Sequence, residues 1–504
     1  MVFALPSTSF QQVPTMTTFR RIILFSYLLS LCLPLLAVGG TGNPNIVFIL
    51  ADDLGFGDVH AFNTESSIPT PAIDGLAAEG VMFMDAHTPS AVCTPTRYGL
   101  ITGRYCWRSR LKSGVLNGYS SRLIEDGRAT VADLLRSAGY TTGIVGKWHL
   151  GLGWSRLEDG QTIDFTRPVE DAPNVLGFDY SCIIPASLDF PPYVYIENGL
   201  VTEAETIEQP AQSFPAFLRK GPRALDFIME DALDHLTAKA VDFIRKKAGS
   251  EKPFFLYFPL TAPHKPVLPH ERFRGKTDLN DYGDFVVQVD WVVGQVVHAL
   301  EDAGVRENTM IVFTSDNGSY MYRLDDPTER DHVDQSSIQA FRADRHRSNG
   351  PWRGTKADIW EGGHHVPFIV SWPGVARTGH RSDKTICLTD FMATAADITG
   401  AEMSEGMGED SFSFLSLIKG DEAGWTRPPV IHHSASGMFA IRDGRWKLVA
   451  GNGSGGRQQP KGKPFAEPFQ LFDMAADPGE TTDLATDNRE IVDRLTRELD
   501  AIRE

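Results

Sequence analysis

Short, uninterrupted apolar runs alternate with helical stretches over most of the chain, and this alternation points to the fold. Residues 46–50, 142–145, 254–258, 310–314 and 367–372 are too short for helices and too continuous for strands with one wet face. They predict strands buried on both faces of a mostly parallel sheet. Between them, residues 130–138 read as a helix opened by a capping-box-like Thr130 and Asp133 and stopped by Gly139. Residues 284–300 place Val286, Val289, Val293, Val296, Val297 and Leu300 on one helical stripe. From about Pro428 the texture changes: 438–442 and 446–449 read as strands around an Asp443-Gly444 turn, 469–472 as another, and 491–502 as a charged amphipathic helix. The predicted architecture is α/β. A large mixed, mostly parallel sheet flanked by helices occupies residues 43–427, and a smaller antiparallel sheet packed with one helix occupies 428–504.

The N-terminus breaks this pattern. Arg20-Arg21 precede an apolar run over 22–38, and Gly39, Gly40, Thr41 and Gly42 follow it. This reads as a signal peptide over residues 1–39, with Ala37 and Gly39 as the small residues before the cut. The run is at the short end for a spanning helix and no later run is long enough, so an exported chain, periplasmic or secreted, without a membrane span is expected. Cys32 lacks the small residue that precedes a lipidated cysteine. The five cysteines, Cys32, Cys93, Cys106, Cys182 and Cys387, form no C-x-x-C, which argues against a zinc knuckle or a redox pair. Most read as buried packing residues. A net charge of −17 disfavours a nucleic-acid partner, but a small anionic substrate fits if cations gather at one site.

Candidate chemistry follows each buried run. Residues 46–50 lead into Asp52-Asp53 and 310–314 into Asp316-Asn317-Gly318, so both deliver oxygen ligands to the carboxyl edge of one sheet, where open α/β sheets place their sites. Three carboxylates and an amide oxygen suit a hard cation, Ca²⁺ or Mg²⁺, better than zinc. Taken singly, Asp52-Asp53 could instead cap a helix and Asp-Asn-Gly make a turn. Other runs end in cations: Lys147 and His149 after 142–145, and His264 after 254–258. Residues two apart in an extended segment share a face, so Lys147 and His149 could enter one pocket. In Cys93-Thr94-Pro95-Thr96-Arg97, Pro95 suits a first helical turn, Thr94 can cap it, and Arg97 follows the cysteine by one turn. A thiolate stabilised by the helix start and the guanidinium is one reading of Cys93. An inert buried thiol is the other.

These residues resemble the type I formylglycine-dependent sulfatases of the alkaline phosphatase superfamily. Cys93-Thr94-Pro95-Thr96-Arg97 with the trailing Thr102-Gly103-Arg104 is similar to their maturation motif, in which the cysteine is oxidised to formylglycine. Thr96 departs from it, since many members carry Ser or Ala there. The resemblance runs from Asn45 to the end of the chain, through Ala51-Asp52-Asp53-Leu54-Gly55, Gly146-Lys147-Trp148-His149-Leu150-Gly151, Ala262-Pro263-His264, Ser315-Asp316-Asn317-Gly318, Arg353-Gly354-Thr355-Lys356 and Glu361-Gly362-Gly363. It implies an alkaline phosphatase-like fold and hydrolysis of a sulfate ester; because an exported hydrolase meets polymers and glycans, a sulfated carbohydrate is the expected substrate, with a small sulfate ester the other choice. It also implies one calcium ion, with Mg²⁺ the lesser choice, held by Asp52, Asp53, Asp316, Asn317 and the modified Cys93. Arg97 and Lys147 would orient the formylglycine hydrate, His149 would assist sulfate release, and His264 and Lys356 would contact the sulfate and help the leaving oxygen. Ser187, in Ile184-Pro185-Ala186-Ser187-Leu188-Asp189, resembles a further sulfate-contacting position. A formylglycine-generating maturation enzyme is an implied partner. One hydroxyl of the hydrate would attack sulfur and the second, once deprotonated, would expel sulfate by collapse to the aldehyde; a plain Ser or Cys has no such exit.

Two other functions fit the same residues: a phosphoester or phosphonate hydrolase of this superfamily, and a non-catalytic binder of sulfated glycans. Tyr193, Tyr195, Phe190, Trp154 and Trp352 could form sugar-stacking walls or plain packing. The charged segment 323–349, with Arg342, Arg345, His346 and Arg347, reads equally as a solvated loop or a substrate track. His364-His365 and His432-His433 match no motif and carry no assignment. Oligomeric state is not legible.

Overall fold

The computed structural model describes residues 42–213, 216–324, 340–342 and 344–504, which fall within one compact unit. The segment read as a signal peptide and Cys32 lie outside the described residues. Among the described residues, no helix is long and apolar enough to cross a membrane.

The apolar runs become the middle of a ten-stranded sheet, counted among the described residues. Asn45–Asp52 lies between Thr309–Ser315 and Phe254–Pro263, followed outward by Thr141–Lys147 and Tyr180–Ile184, all parallel. Every residue of the first three is buried, as strands covered on both faces require. The run at 367–372 forms Phe368–Ser371, but it pairs antiparallel with Thr309–Ser315. An apolar run records burial and not direction, so this reversal was invisible in the pattern.

Helices cover the sheet where stripes demanded it. Val131–Ser137 is opened by the Thr130–Asp133 capping box, and Asn280–Asp302 buries Val286, Val289, Val293, Val296 and Leu300. Gly146 is needed for approach as well as conformation: its φ is +130°, and a Cβ there would sit 1.9 Å from the Pro259 carbonyl oxygen. Without a glycine the strand ending at Lys147 could not close onto its neighbour.

Toward the C-terminus, Val430–His433, Phe439–Asp443, Trp446–Ala450 and Gln470–Asp473 form a four-stranded antiparallel sheet. One face packs Ile431, Ile441, Leu448 and Leu471 against Val492, Leu495 and Leu499 of the helix Arg489–Arg503. The other packs Ala440, Val449 and Phe472 against Ile359 and Trp360. The strand Val430–His433 was not predicted, because its two histidines hide the apolar alternation.

Candidate active site

The parallel register brings the motif residues to one edge. Ala51 lies opposite Ser315 and, past an irregularity after Leu50, Asp52 lies opposite Pro263, so three strands end together. Asp53 leaves the sheet with φ +67°, and its backbone N–H donates to Asp316 Oδ1 at 3.2 Å. Asn317 Nδ2 donates to Asp53 Oδ1 at 2.7 Å. Asp53, Asp316 and Asn317 are thus linked directly, and buried Asp52 joins them through the Arg97 guanidinium, which lies 3.6 Å from Asp52 Oδ1 and 2.6 Å from Asp316 Oδ2.

Three cations enclose these side chains. Lys147 Nζ donates to Asp52 Oδ1 and Oδ2 at 2.9 and 2.8 Å, and Lys356 Nζ donates to Asp53 Oδ1 at 2.6 Å. Arg97 donates from Nε and one terminal nitrogen to Asp316 Oδ2, at 3.0 and 2.6 Å, and from the other to the Lys147 carbonyl at 3.1 Å. His264 Nε2 stands 3.6 Å from Asp53 Oδ2, and its Nδ1 contacts the Lys265 carbonyl. The electrostatics show how heavily charged this volume is. Burial alone would raise Asp52, but Lys147, with His264 and Arg97, holds it far below the usual carboxylate range. Burial, reinforced by Asp52, outweighs the cations at the other two: Asp53 is pushed up, and Asp316 is pushed up to about 6.

Cys93 faces this cage from the first turn of the helix Cys93–Thr102, every residue of which is buried. Its Sγ lies 3.4 Å from His149 Nδ1. His149 Nε2 lies 2.8 Å from the Leu116 carbonyl, which can only accept, so the proton sits on Nε2 and Nδ1 turns a lone pair toward position 93. Burial and Lys147 keep this imidazole neutral. Burial also pushes the Cys93 thiol up, against Lys147 and Lys356, so a bare thiol stays protonated and the thiolate reading loses its support.

Several expectations need correcting in detail. The helix is capped by the backbone of Val92 and not by Thr94, whose hydroxyl instead donates to the His149 carbonyl and accepts from the Leu116 N–H. Lys147 and His149 do meet one site, but not because they share a strand face: the strand ends at Lys147 and His149 adopts φ +57°. Tyr193 and Tyr195 are core residues, 2% and 1% exposed, and form no stacking wall. In the charged segment, His346 is buried against Asp58, whereas Arg342 and Arg345 pair with Asp344 and Asp278 at the surface; residues 325–339 and 343 lie outside the described residues. Cys106, Cys182 and Cys387 are free and buried, as packing residues should be.

Ser187 follows the strand Tyr180–Ile184, on a loop whose Pro185 carbonyl accepts from the His149 N–H. Its Oγ is buried and has no hydrogen-bond partner among the described residues. Of the rim, sequence reasoning named Phe190 and missed Arg219, Phe217 and Lys265. The Phe190 ring lies 5.8 Å from that of His149, the Arg219 guanidinium lies 3.9 Å from the Phe190 centroid and pairs with Asp189, and Lys265 sits over Phe217 at 4.0 Å. These residues come from irregular loops, where neither periodicity nor spacing marks them. Lys356, 14% exposed at its side chain, and His264, 5%, are the most open members of the cage, so approach is from their side.

A resident metal ion fits these side chains. Asp52, Asp53 and His264 offer ligand atoms within 4.8 Å of one another, and Asn317 Oδ1 is buried without a hydrogen-bond partner beside them. Asp53 and Asp316 are also pushed up despite three nearby cations, so further positive charge would be accommodated.

The sulfatase family model matches residues 44–401. The chain is similar to an N-acetylgalactosamine-6-O-sulfatase of Bacteroides thetaiotaomicron, with 33% identity over 91% of this chain and 93% of that one. It is also similar to the N-acetylgalactosamine-6-sulfatase of Mus musculus, with 28% identity over 94% and 88%. A solved structure from work on the metabolism of multiple glycosaminoglycans by B. thetaiotaomicron superposes with a TM-score of 0.79 at 32% identity, covering 92% of this chain and 99% of that one.

Proposed function

We infer that this chain, which belongs to the sulfatase family and is a sulfuric ester hydrolase, cleaves a sulfate ester on a carbohydrate, with formylglycine at position 93 and one hard divalent cation, Ca²⁺ before Mg²⁺. The observation that carries this reading is the cage itself: Arg97, Lys147 and Lys356 paired with Asp52, Asp53 and Asp316 beside Cys93 and His149.

Asp52, Asp53, Asp316 and Asn317 would hold the cation, with the side chain at 93 completing the set. When bound, the cation would polarise oxygens of the sulfate and acidify a hydroxyl at position 93. Formylglycine, once hydrated, supplies two oxygens on one carbon, one to attack sulfur and one to release it. The remaining work belongs to ordinary side chains. Arg97 fixes Asp316 by a two-nitrogen contact and ties it to the strand carrying Lys147, so ligand orientation does not depend on a mobile loop. His149 Nδ1, neutral and aimed at position 93, accepts the proton whose loss lets sulfate go. Lys356 Nζ and His264 Nε2, on the open side, meet the sulfate and the leaving oxygen. The rim of Lys265, Arg219 and Phe190 offers cations and a ring face to a sugar, and both curated relatives described above are named for a sulfated amino sugar. Export of the mature chain rests on the apolar run at 22–38.

The test is release of inorganic sulfate from N-acetylgalactosamine 6-sulfate, an aryl sulfate and the matching aryl phosphate. Sulfate release with the sugar ester preferred by kcat/KM is the expected result. Turnover of the aryl sulfate alone would overturn the carbohydrate assignment, and preference for the phosphate would overturn the sulfate chemistry.

A further inference from the structure

Each carboxylate of the cage has a cation of its own, but two cations at its mouth pair with no carboxylate among the described residues. Lys265 follows His264 on the open side and is half-buried, with its Nζ resting 4.0 Å from the Phe217 ring centroid. Arg457, also half-buried, comes from the glycine-rich loop after the strand Trp446–Ala450. One of its terminal nitrogens donates to the Tyr320 carbonyl at 2.6 Å, and its guanidinium lies 4.4 Å from the Tyr322 centroid. Tyr320 joins the two cations, since its hydroxyl donates at 3.2 Å to the carbonyl of Pro263, two residues before Lys265. Burial pushes the Lys265 ammonium down; Asp189 and Asp53 oppose this and Lys356 and Arg457 add to it, so these charges share one neighbourhood.

The carboxylates there are already paired. Asp53 takes Lys356, and Asp189 takes Arg219, which lies between the Phe190 and Phe217 rings at 3.9 and 5.0 Å. A half-buried ammonium on a ring face has lost water without gaining an ion pair, and the ring returns only part of that cost. With a net charge of −17, the chain has no general surplus of cations to leave two unpaired beside one site. Arg457 is also held in place. Asp358 Oδ1 accepts from the Arg457 and Gln458 N–H groups at 2.6 and 3.1 Å, and its Oδ2 accepts from the Thr355 N–H at 3.0 Å. The loop bearing Arg457 is therefore fixed to the one bearing Lys356.

We propose that Lys265 and Arg457 form a subsite for a second anionic group of the substrate, a carboxylate or a further sulfate ester on the same or the adjoining sugar. This rests on the reading of the cage as a site for a carbohydrate sulfate ester. Lys356 and His264 meet the sulfate that is cleaved, while Lys265 and Arg457 supply charge-assisted hydrogen bonds to the group that is kept. Substrate choice is thereby shared between the large sheet, through Lys265, and the C-terminal sheet, through Arg457.

Binding is measured by calorimetry at saturating calcium in the full chain carrying Cys93→Ala, so that the probes stay intact. The probes are N-acetylgalactosamine 6-sulfate, its 4,6-disulfate, and the 6-sulfate linked to a hexuronic acid or to the matching neutral hexose. At least one doubly charged probe should bind about tenfold tighter or more than its singly charged counterpart. A gain with the disulfate alone identifies a sulfate, and a gain with the uronate alone a carboxylate. Lys265→Met and Arg457→Met should each lower that ratio by about threefold or more. Equal binding of singly and doubly charged probes, or a ratio that neither substitution moves, overturns the subsite; if one variant does not fold, the other decides. Sulfate release by the parent chain separates the two readings. Turnover without a binding preference refutes the subsite alone, a binding preference without turnover refutes the chemistry alone, and failure of every sugar to bind refutes both.

Discussion

In the cage around Asp53, each carboxylate comes from the end of a parallel strand and meets a cation from a different segment: Asp52 with Lys147, Asp53 with Lys356, Asp316 with Arg97. The cluster around Glu361 is assembled otherwise. One ammonium, Lys447, serves two carboxylates, Glu361 at 2.9 Å and Glu480 at 2.7 Å, and neutral imidazoles fill the rest. The first opens toward solvent through Lys356; Lys447, Glu361 and Glu480 are all buried. Buried charge at a strand edge is thus arranged to receive an anionic group, whereas the same residue types under a second sheet hold two layers together. A change in the first should cost turnover and leave the fold; a change in the second should do the reverse.

The largest effect is expected at position 93. Cys93→Ala should lower turnover by roughly 10⁴-fold or more with an unchanged Tm, since the helix is capped by the Val92 backbone. Mass spectrometry of the active parent should show a loss of about 18 Da on the peptide carrying Cys93; full activity with an unmodified thiol would sink the reading. Next, Asp316→Asn keeps an acceptor for Arg97 but removes a charge, and should lower bound calcium and reduce kcat/KM by roughly 10²-fold or more, with metal content measured beside activity. In the other cluster, Lys447→Met strands two buried carboxylates and should cost about 3–5 kcal/mol in a urea titration. Activity per folded molecule should change little. Catalytic loss without destabilisation would erase the distinction between the two clusters.

A smaller test uses a buried carboxylate that has no cation partner among the described residues. Asp290, whose Oδ1 accepts from the Ile73 N–H at 2.9 Å, is pushed up to about 6 by burial. A carboxyl raised in the folded state holds its proton there longer than in the unfolded chain, so its cost is absent below about pH 4, grows as pH rises, and is complete above about 6. Asp290→Asn retains the acceptor and should stabilise the chain by about 1–2 kcal/mol at pH 7.5, with the difference fading at pH 4. Equal Tm gains at both values would show that charge is not the cause.

Legibility in the sequence followed the same division. The parallel strands and the polar residues gathered at their ends could be read because continuous apolar runs end in short polar motifs, as at Leu50 before Asp52 and Thr314 before Asp316. Direction could not: the antiparallel turn of Phe368–Ser371 depends on its partner and not on its own residues. On the rim, Phe190 stood out as an aromatic, but Arg219 and Lys265 were unreadable because loop geometry alone brings them beside it. The grouping of His87, His364 and His432 beside Glu361 was equally hidden, since strand register and packing unite these residues, which no local pattern connects.

The ties within the cage also say when it can exist. Arg97 and Asp316 are 219 residues apart, and Asn317 and Asp53 are 264. During synthesis from the N-terminus, Arg97 has no Asp316 until the strand Thr309–Ser315 has emerged and paired with Asn45–Asp52. Closing so long a loop adds only slowly to the entropic cost but delays the first productive encounter. A nascent chain halted before residue 309 should therefore carry Arg97, Asp52 and Lys147 without the partner that completes their charge balance, and should remain open to chaperones and proteases until the late strand arrives.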